Sequence, residues 1–131
     1  VYARIVDEDE LELGFSVQSK NTNLNGSSHG AVIMGLLDSV MGASILYRLS
    51  AEYSVVTLSL SVNFLRPAHV GDFLIGRGEI DGQSKSHGFV AGRLKGPDGV
   101  VATATGNFSK VRRPQGSARF SDVVKKVLNR S

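Results

Sequence analysis

Cysteine is absent from this chain. Without thiols, neither a disulfide staple nor a thiolate metal site can form, and the absence suits a reducing compartment. No run of about 18 or more uncharged apolar residues occurs, so no membrane-spanning helix is expected. The first residues carry no basic-then-apolar export pattern, and the expected location is cytoplasmic. Internal repeats and low-complexity tracts are missing. No His and carboxylate pair falls at zinc-site spacing, and no glycine-rich loop leads from a strand into a helix to cradle phosphates. No metal and no resident cofactor are therefore expected. What is present is ordinary for a soluble fold: 131 residues, 41% hydrophobic and 21% charged. That is one domain, 1–131, able to bury a core.

Charge is modest but uneven. Fifteen Lys and Arg against 12 Asp and Glu leave +3. The stretch "DEDELE" (7–12) is acidic, and everything after Lys110 is basic. A basic end can meet nucleic acid, a membrane or a phosphorylated small molecule, or can simply be a solvated surface. The expectation is no nucleic acid and no membrane.

Periodicity orders the chain. Residues 10–18, "ELELGFSVQ", alternate with Leu11, Leu13, Phe15 and Val17 on one face, which predicts a strand. Asn, Gly and Ser then dominate 19–30, a loop. A long apolar helix is predicted from about Gly30 to Leu49, with Ser27 or Ser28 as its cap. After residue 51 come four strand patterns without a helix between them. The first places Val56, Leu58, Leu60, Val62 and Phe64 on one face. "GDFLIGRGEI" is the second, and bulges would explain its Gly76, Gly78 and the later Gly82. The third and fourth are joined by "GPDG" (96–99), a tight-turn signal. Residues 113–131 form an extension with a short amphipathic helix from Ser121. Adjacent antiparallel strands need one face covered, and only the long helix can cover it. A helix apolar nearly all round is buried nearly all round. The pattern predicts an α+β hotdog fold, an antiparallel curved sheet wrapped around one central helix.

One acid interrupts that helix. Ala31, Gly35, Asp38 and Gly42 fall three or four residues apart and share a stripe. Each interior glycine costs about 0.5–1 kcal/mol relative to alanine, so something is expected to pass close. Asp38 there would be desolvated, raising its pKa unless donors surround it. Two readings stand: it bonds backbone amides of a neighbouring strand, or it does chemistry. His29-Gly30 at the helix start offers uncovered N–H groups at the positive end of the dipole, suited to a carbonyl oxygen that turns anionic. Gly30 and Asp38 are eight residues apart, about 12 Å along a helix. One carbonyl cannot meet both within a chain. Two antiparallel helices in a two-fold dimer would bring them together.

Asn23, the "GSSHG" of 26–30 and an acid nine residues after His29 resemble the motif of the phenylacetate-degradation (PaaI-type) hotdog acyl-CoA thioesterases. The likeness covers about 21–112, and "VTLSLSVNFLRPAHVGD" (56–72) is also similar to that family. The resemblance implies acyl-CoA hydrolysis with Asp38 as water-activating base or as nucleophile. It implies that the Gly30 N–H polarises the thioester carbonyl, that His29 and Asn23 orient the thioester, and that Thr57 holds the water. Ala31 stands where the family commonly has a second glycine. Ser84, Lys85, Lys110, Arg112 and Arg113, with Arg66 as a further candidate, are the groups expected to hold coenzyme A phosphates. Met34, Leu37, Met41 and Phe64 are candidates to line an apolar or aromatic acyl pocket. His69 and His87 carry no motif and read as surface or structural. The resemblance implies a homodimer, with pairing to a homotetramer. Two alternatives are weighed: a hotdog dehydratase or hydratase, although no "D-x-N-P-x-H" occurs, and a non-enzymatic acyl-CoA binder, although the chain has no room for a DNA-binding helix-turn-helix.

Overall fold

Alternating side chains build the sheet and an apolar helix closes it. The computed structural model describes residues 2–7, 10–18, 29–49 and 52–112. Its elements are β1 (Tyr2–Asp7), β2 (Glu10–Ser16), α1 (Gly30–Leu46), β3 (Tyr53–Phe64), β4 (Phe73–Gln83), β5 (His87–Gly96) and β6 (Gly99–Arg112). All pairings are antiparallel, in one six-stranded sheet of order β1-β2-β4-β5-β6-β3. The sheet curves around α1, which touches β2 through β6. This is the hotdog architecture.

The strand pattern missed β1, which pairs with β2 through Tyr2 opposite Gly14. The described part of the acidic stretch thus lies in paired strands, and Glu12 is not solvated: it is 1% exposed and paired to Arg77 of β4. Asn23, Arg113 and the C-terminal helix expected from Ser121 lie outside the described residues, as do Ser27 and Ser28. The residue at the helix cap position is His29, and its side chain makes no capping bond.

The helix packs on glycines. In β5 every second residue is buried, and these, Gly88, Val90, Gly92 and Leu94, face the helix. A Cβ at Gly88 would lie 2.5 Å from Ile45 Cδ1, and one at Gly92 2.6 Å from Met41 Sδ. Gly78 of β4 sits in register opposite Gly92. A Cβ there would strike Ser44 Oγ and approach the Val40 carbonyl oxygen at 3.1 Å. Ser44 cannot turn aside without losing its 2.7 Å bond to that carbonyl. Bulging therefore accounts for Gly82, beside a register shift, but not for Gly76 or Gly78, which make room for α1. Gly78→Val is expected to cost about 1–3 kcal/mol, read as a lowered urea midpoint at unchanged m.

Leu37, Val40, Met41, Ile45, Leu74, Leu94 and Phe108 are the fully enclosed centre of the core. Met41 and Leu37 therefore face the sheet and do not line an acyl pocket. The "GPDG" turn joins β5 and β6, with Gly99 at φ +122°. Arg66 clamps it: Nε donates to the Val100 carbonyl at 3.0 Å and Nη1 to that of Asp98.

Candidate active site on the central helix

The position of Thr57 depends on a bulge. The simple alternation put Val56, Leu58, Leu60, Val62 and Phe64 on one face. In the structure the register of β3 against β6 shifts between Thr57 and Ser59, with Leu58 as the extra residue. A bulge re-aims side chains. Leu60 and Val62 beyond it pack on the core, as does Val55 before it. Thr57 consequently shares the helix side with Val55, while Val56 and Leu58 are about half exposed, at 49% and 53%.

Thr57 Oγ1 donates to Asp38 Oδ1 at 2.6 Å. Of the two readings of Asp38, backbone amides are not its partner; a hydroxyl of the adjacent strand is. The carboxylate is half-buried rather than enclosed, so it is open to water. Among the described residues no other group bonds it, so Thr57 is its one hydrogen-bond partner there.

The helix face around Asp38 divides into two parts. Ala31, Met34, Gly35 and Ser39 are exposed, and a Cβ at Gly35 would meet nothing within 4 Å. Gly42, the last member of the predicted stripe, is instead closed off by Phe108 and Val55, each 3.6 Å from where its Cβ would be. The open stripe is therefore Ala31, Gly35 and Asp38.

At the helix start, the His29 carbonyl accepts from Val32 N at 3.0 Å and Ile33 N at 3.3 Å. The N–H groups of Gly30 and Ala31 precede any intrahelical acceptor, and Gly30 and His29 are exposed. A hollow of about 320 Å³ adjoins Gly30, lined by Ile33, Phe64, Leu65, Pro67 and Ala68. Met34 and Phe64 are 40% and 54% exposed, so of the four acyl-pocket candidates these two remain available. Leu65, at 58% exposed, was not among them; only its place beside Phe64 could have signalled it.

Ser84, Lys85, Lys110 and Arg112 lie toward the other end, where β3 begins and β6 ends, whereas Arg66 lies beside Phe64. Lys110 pairs across from Val55. Its Nζ donates to Gln83 Oε1 at 2.7 Å and to the Ser84 carbonyl at 2.8 Å. Partial burial lowers its pKa. Ser84 Oγ accepts from His87 N at 3.1 Å. Lys110 and Ser84 thus brace the β4–β5 turn, which presents Lys85 to solvent. The Arg112 guanidinium lies 5.7 Å from the Tyr53 ring centroid. Arg66 is occupied by the clamp described above. His87 Nδ1 shares a 2.8 Å bond with Ser86 Oγ, and the backbone N–H of His69 donates to Asp72. Among the described residues no group of three His, Asp or Glu could hold a metal ion, and no helix is long and apolar enough to cross a membrane.

Known proteins share this architecture. A phenylacetic acid degradation-related protein of Ralstonia eutropha JMP134, described as a putative thioesterase, is 30% identical, with 82% of each chain covered and a TM-score of 0.77. The PaaI protein of E. coli, from its phenylacetic acid degradation operon, matches at TM-score 0.76 and 21% identity, over 83% of this chain and 78% of its own. A Bacillus halodurans protein crystallised with CoA matches at TM-score 0.77 and 25% identity, over 86% and 74%. The Thioesterase superfamily profile matches residues 25–103. With the helix-wrapping sheet already established, this match places the chain in the Thioesterase superfamily: it is a hotdog-fold thioester hydrolase.

Proposed function

We propose that the protein hydrolyses an acyl-CoA thioester to free acid and CoA, in a site shared between two copies of the chain. The observation that carries this is the water-accessible Asp38 carboxylate, bonded to Thr57 on a helix whose uncapped start is too far away to serve the same carbonyl. In the proposed reaction, Asp38 takes a proton from water and the hydroxide attacks the thioester carbonyl carbon. The developing oxyanion is held by the Gly30 N–H of the second copy. The tetrahedral intermediate then collapses with breakage of the C–S bond, and the leaving thiolate takes the proton that Asp38 removed from water, which restores the carboxylate. His29 and Asn23 orient the thioester, and Thr57 holds the water with the hydroxyl lone pairs left over from its bond to Asp38. The CoA in the Bacillus halodurans relative supports the leaving group. Lys85 and Arg112, with Arg113, would meet its phosphates, while Lys110 and Ser84 shape the turn.

Edge properties support the two-fold partner. β3 is an outer strand of the sheet, and it exposes Val56 and Leu58. An apolar exposed edge invites pairing, next to the open stripe of α1. The hollow beside Gly30 favours an apolar or aromatic acyl group. Pairing of dimers into a homotetramer and a cytoplasmic location belong to the same proposal.

Release of free thiol from a panel of acyl-CoA esters tests the activity. Hydration of an enoyl-CoA without thiol release would instead assign a hydratase, and tight acyl-CoA binding without turnover a binding protein. Thr57→Val, which keeps the shape and removes the hydroxyl, is expected to lower kcat about tenfold with little change in KM. An unchanged kcat would remove Thr57 from the site.

A further inference from the structure

The sheet face turned away from α1 carries a second feature. Across β4 and β5, Arg77 stands directly opposite Arg93. Like charges in that arrangement destabilise a strand pair. Arg77 is compensated by its β2 neighbour Glu12, whose Oε2 accepts from Nε at 2.6 Å and also ion-pairs with Nη2. Glu12 is 1% exposed, so that guanidinium is held by a buried carboxylate on the neighbouring strand. Among the described residues Arg93 makes no hydrogen bond or ion pair, and Lys95 follows it on the same exposed face of β5. The row continues with Thr103 opposite Arg93 and Asn63 opposite Thr103. These groups, Glu12 included, border a hollow of about 590 Å³ that Gly78, Ala91, Gly92 and Ala104 also line. Glu79 also lines it, two residues along β4 and opposite Ala91 rather than Arg93.

We propose that this hollow binds the phosphoryl group of a phosphorylated small molecule between Arg93 and Arg77. Paired guanidinium groups match phosphate oxygens through parallel N–H bonds, with the Lys95 ammonium and the Thr103 hydroxyl as further donors. The anion would neutralise Arg93, the member of the apposed pair that Glu12 does not compensate, so occupancy stabilises the fold. The site lies across the sheet from Asp38 and Thr57 and does not depend on the hydrolytic proposal.

The probes are inorganic phosphate, ADP and citrate, added to the full chain and followed by thermal shift and titration calorimetry. Phosphate or ADP is expected to bind and raise Tm. A free ion and a nucleotide as sources are separated by which of the two binds more tightly. Arg93→Met should weaken that binding by at least about tenfold, and Thr103→Val by a smaller factor, while thiol release from acyl-CoA stays at the wild-type rate in both. Absence of binding by either phosphate probe, equal binding by Arg93→Met, or tighter binding of citrate would overturn the proposal. So would a fall in solution mass for Arg93→Glu, which would show a second copy seated on this face. Loss of turnover in the wild-type protein would count only against the hydrolytic reading.

Discussion

Asp38→Asn is expected to lower kcat for acyl-CoA hydrolysis by about 10²–10⁴-fold. The amide is nearly isosteric and can still accept the Thr57 hydrogen bond through its oxygen, so the helix and strand stay joined. Only the basicity is lost, and with it the group that takes the proton from water. Asp38 is half-buried and outside the core, so stability should move by about 0.5 kcal/mol or less. Thiol release under saturating substrate, with circular dichroism as the folding control, reads both effects. Turnover within a few-fold of wild type would remove Asp38 from the chemistry.

Gly30→Pro should be almost as severe, at about 10²–10³-fold in kcat, for a different reason. Proline suits the first position of a helix, where the N–H has no intrahelical partner. His29 before it already has φ −59° and ψ 141°, the extended geometry that a residue preceding proline needs. The substitution therefore deletes one N–H and leaves α1 in place. Gly30→Ala is the control. Its Cβ would meet the Phe64 ring at 3.5 Å, an ordinary contact, and the N–H remains. Alanine close to wild type with proline strongly impaired assigns the effect to the N–H; equal impairment of both would assign it to crowding.

The architecture was largely legible because its signals are local. An apolar helix of 17 residues and strands with period-two patterns announce themselves without reference to partners. β1 escaped because "YARIVD" is short and runs into the acidic "DEDE", and only its pairing with β2 makes it a strand. The acid stripe was legible by helical spacing, but Gly42 left it because Phe108 and Val55 close over that residue, a contact between distant parts of the chain. The bulge at Leu58 is likewise a property of strand pairing. Alternation alone would have turned Thr57 outward, and a one-residue slip decides whether Asp38 has a hydroxyl partner. Gly76 and Gly78 looked like interruptions of a strand; their meaning lies in the helix packed against them. Lys110 looked like a free cation for phosphate, and its bonds to Gln83 and Ser84 appear only when β6 lies beside the β4–β5 turn. Glu12 was read with its acidic neighbours, whereas its environment is set by Arg77, 65 residues away.

In the proposed mechanism Asp38 of one copy works with Gly30 of another. This pairing is tested most directly by mixing two inactive variants. Asp38→Asn and Gly30→Pro are each purified, unfolded together at equal concentration, refolded and assayed for thiol release. Random pairing makes about half the dimers mixed, and each mixed dimer holds one site with both groups intact. Recovery to about a quarter of wild-type activity is expected from two nearly inactive parents. Activity no higher than that of the parents, with mixed dimers demonstrated by mass spectrometry, would contradict the pairing and return both residues to a single chain.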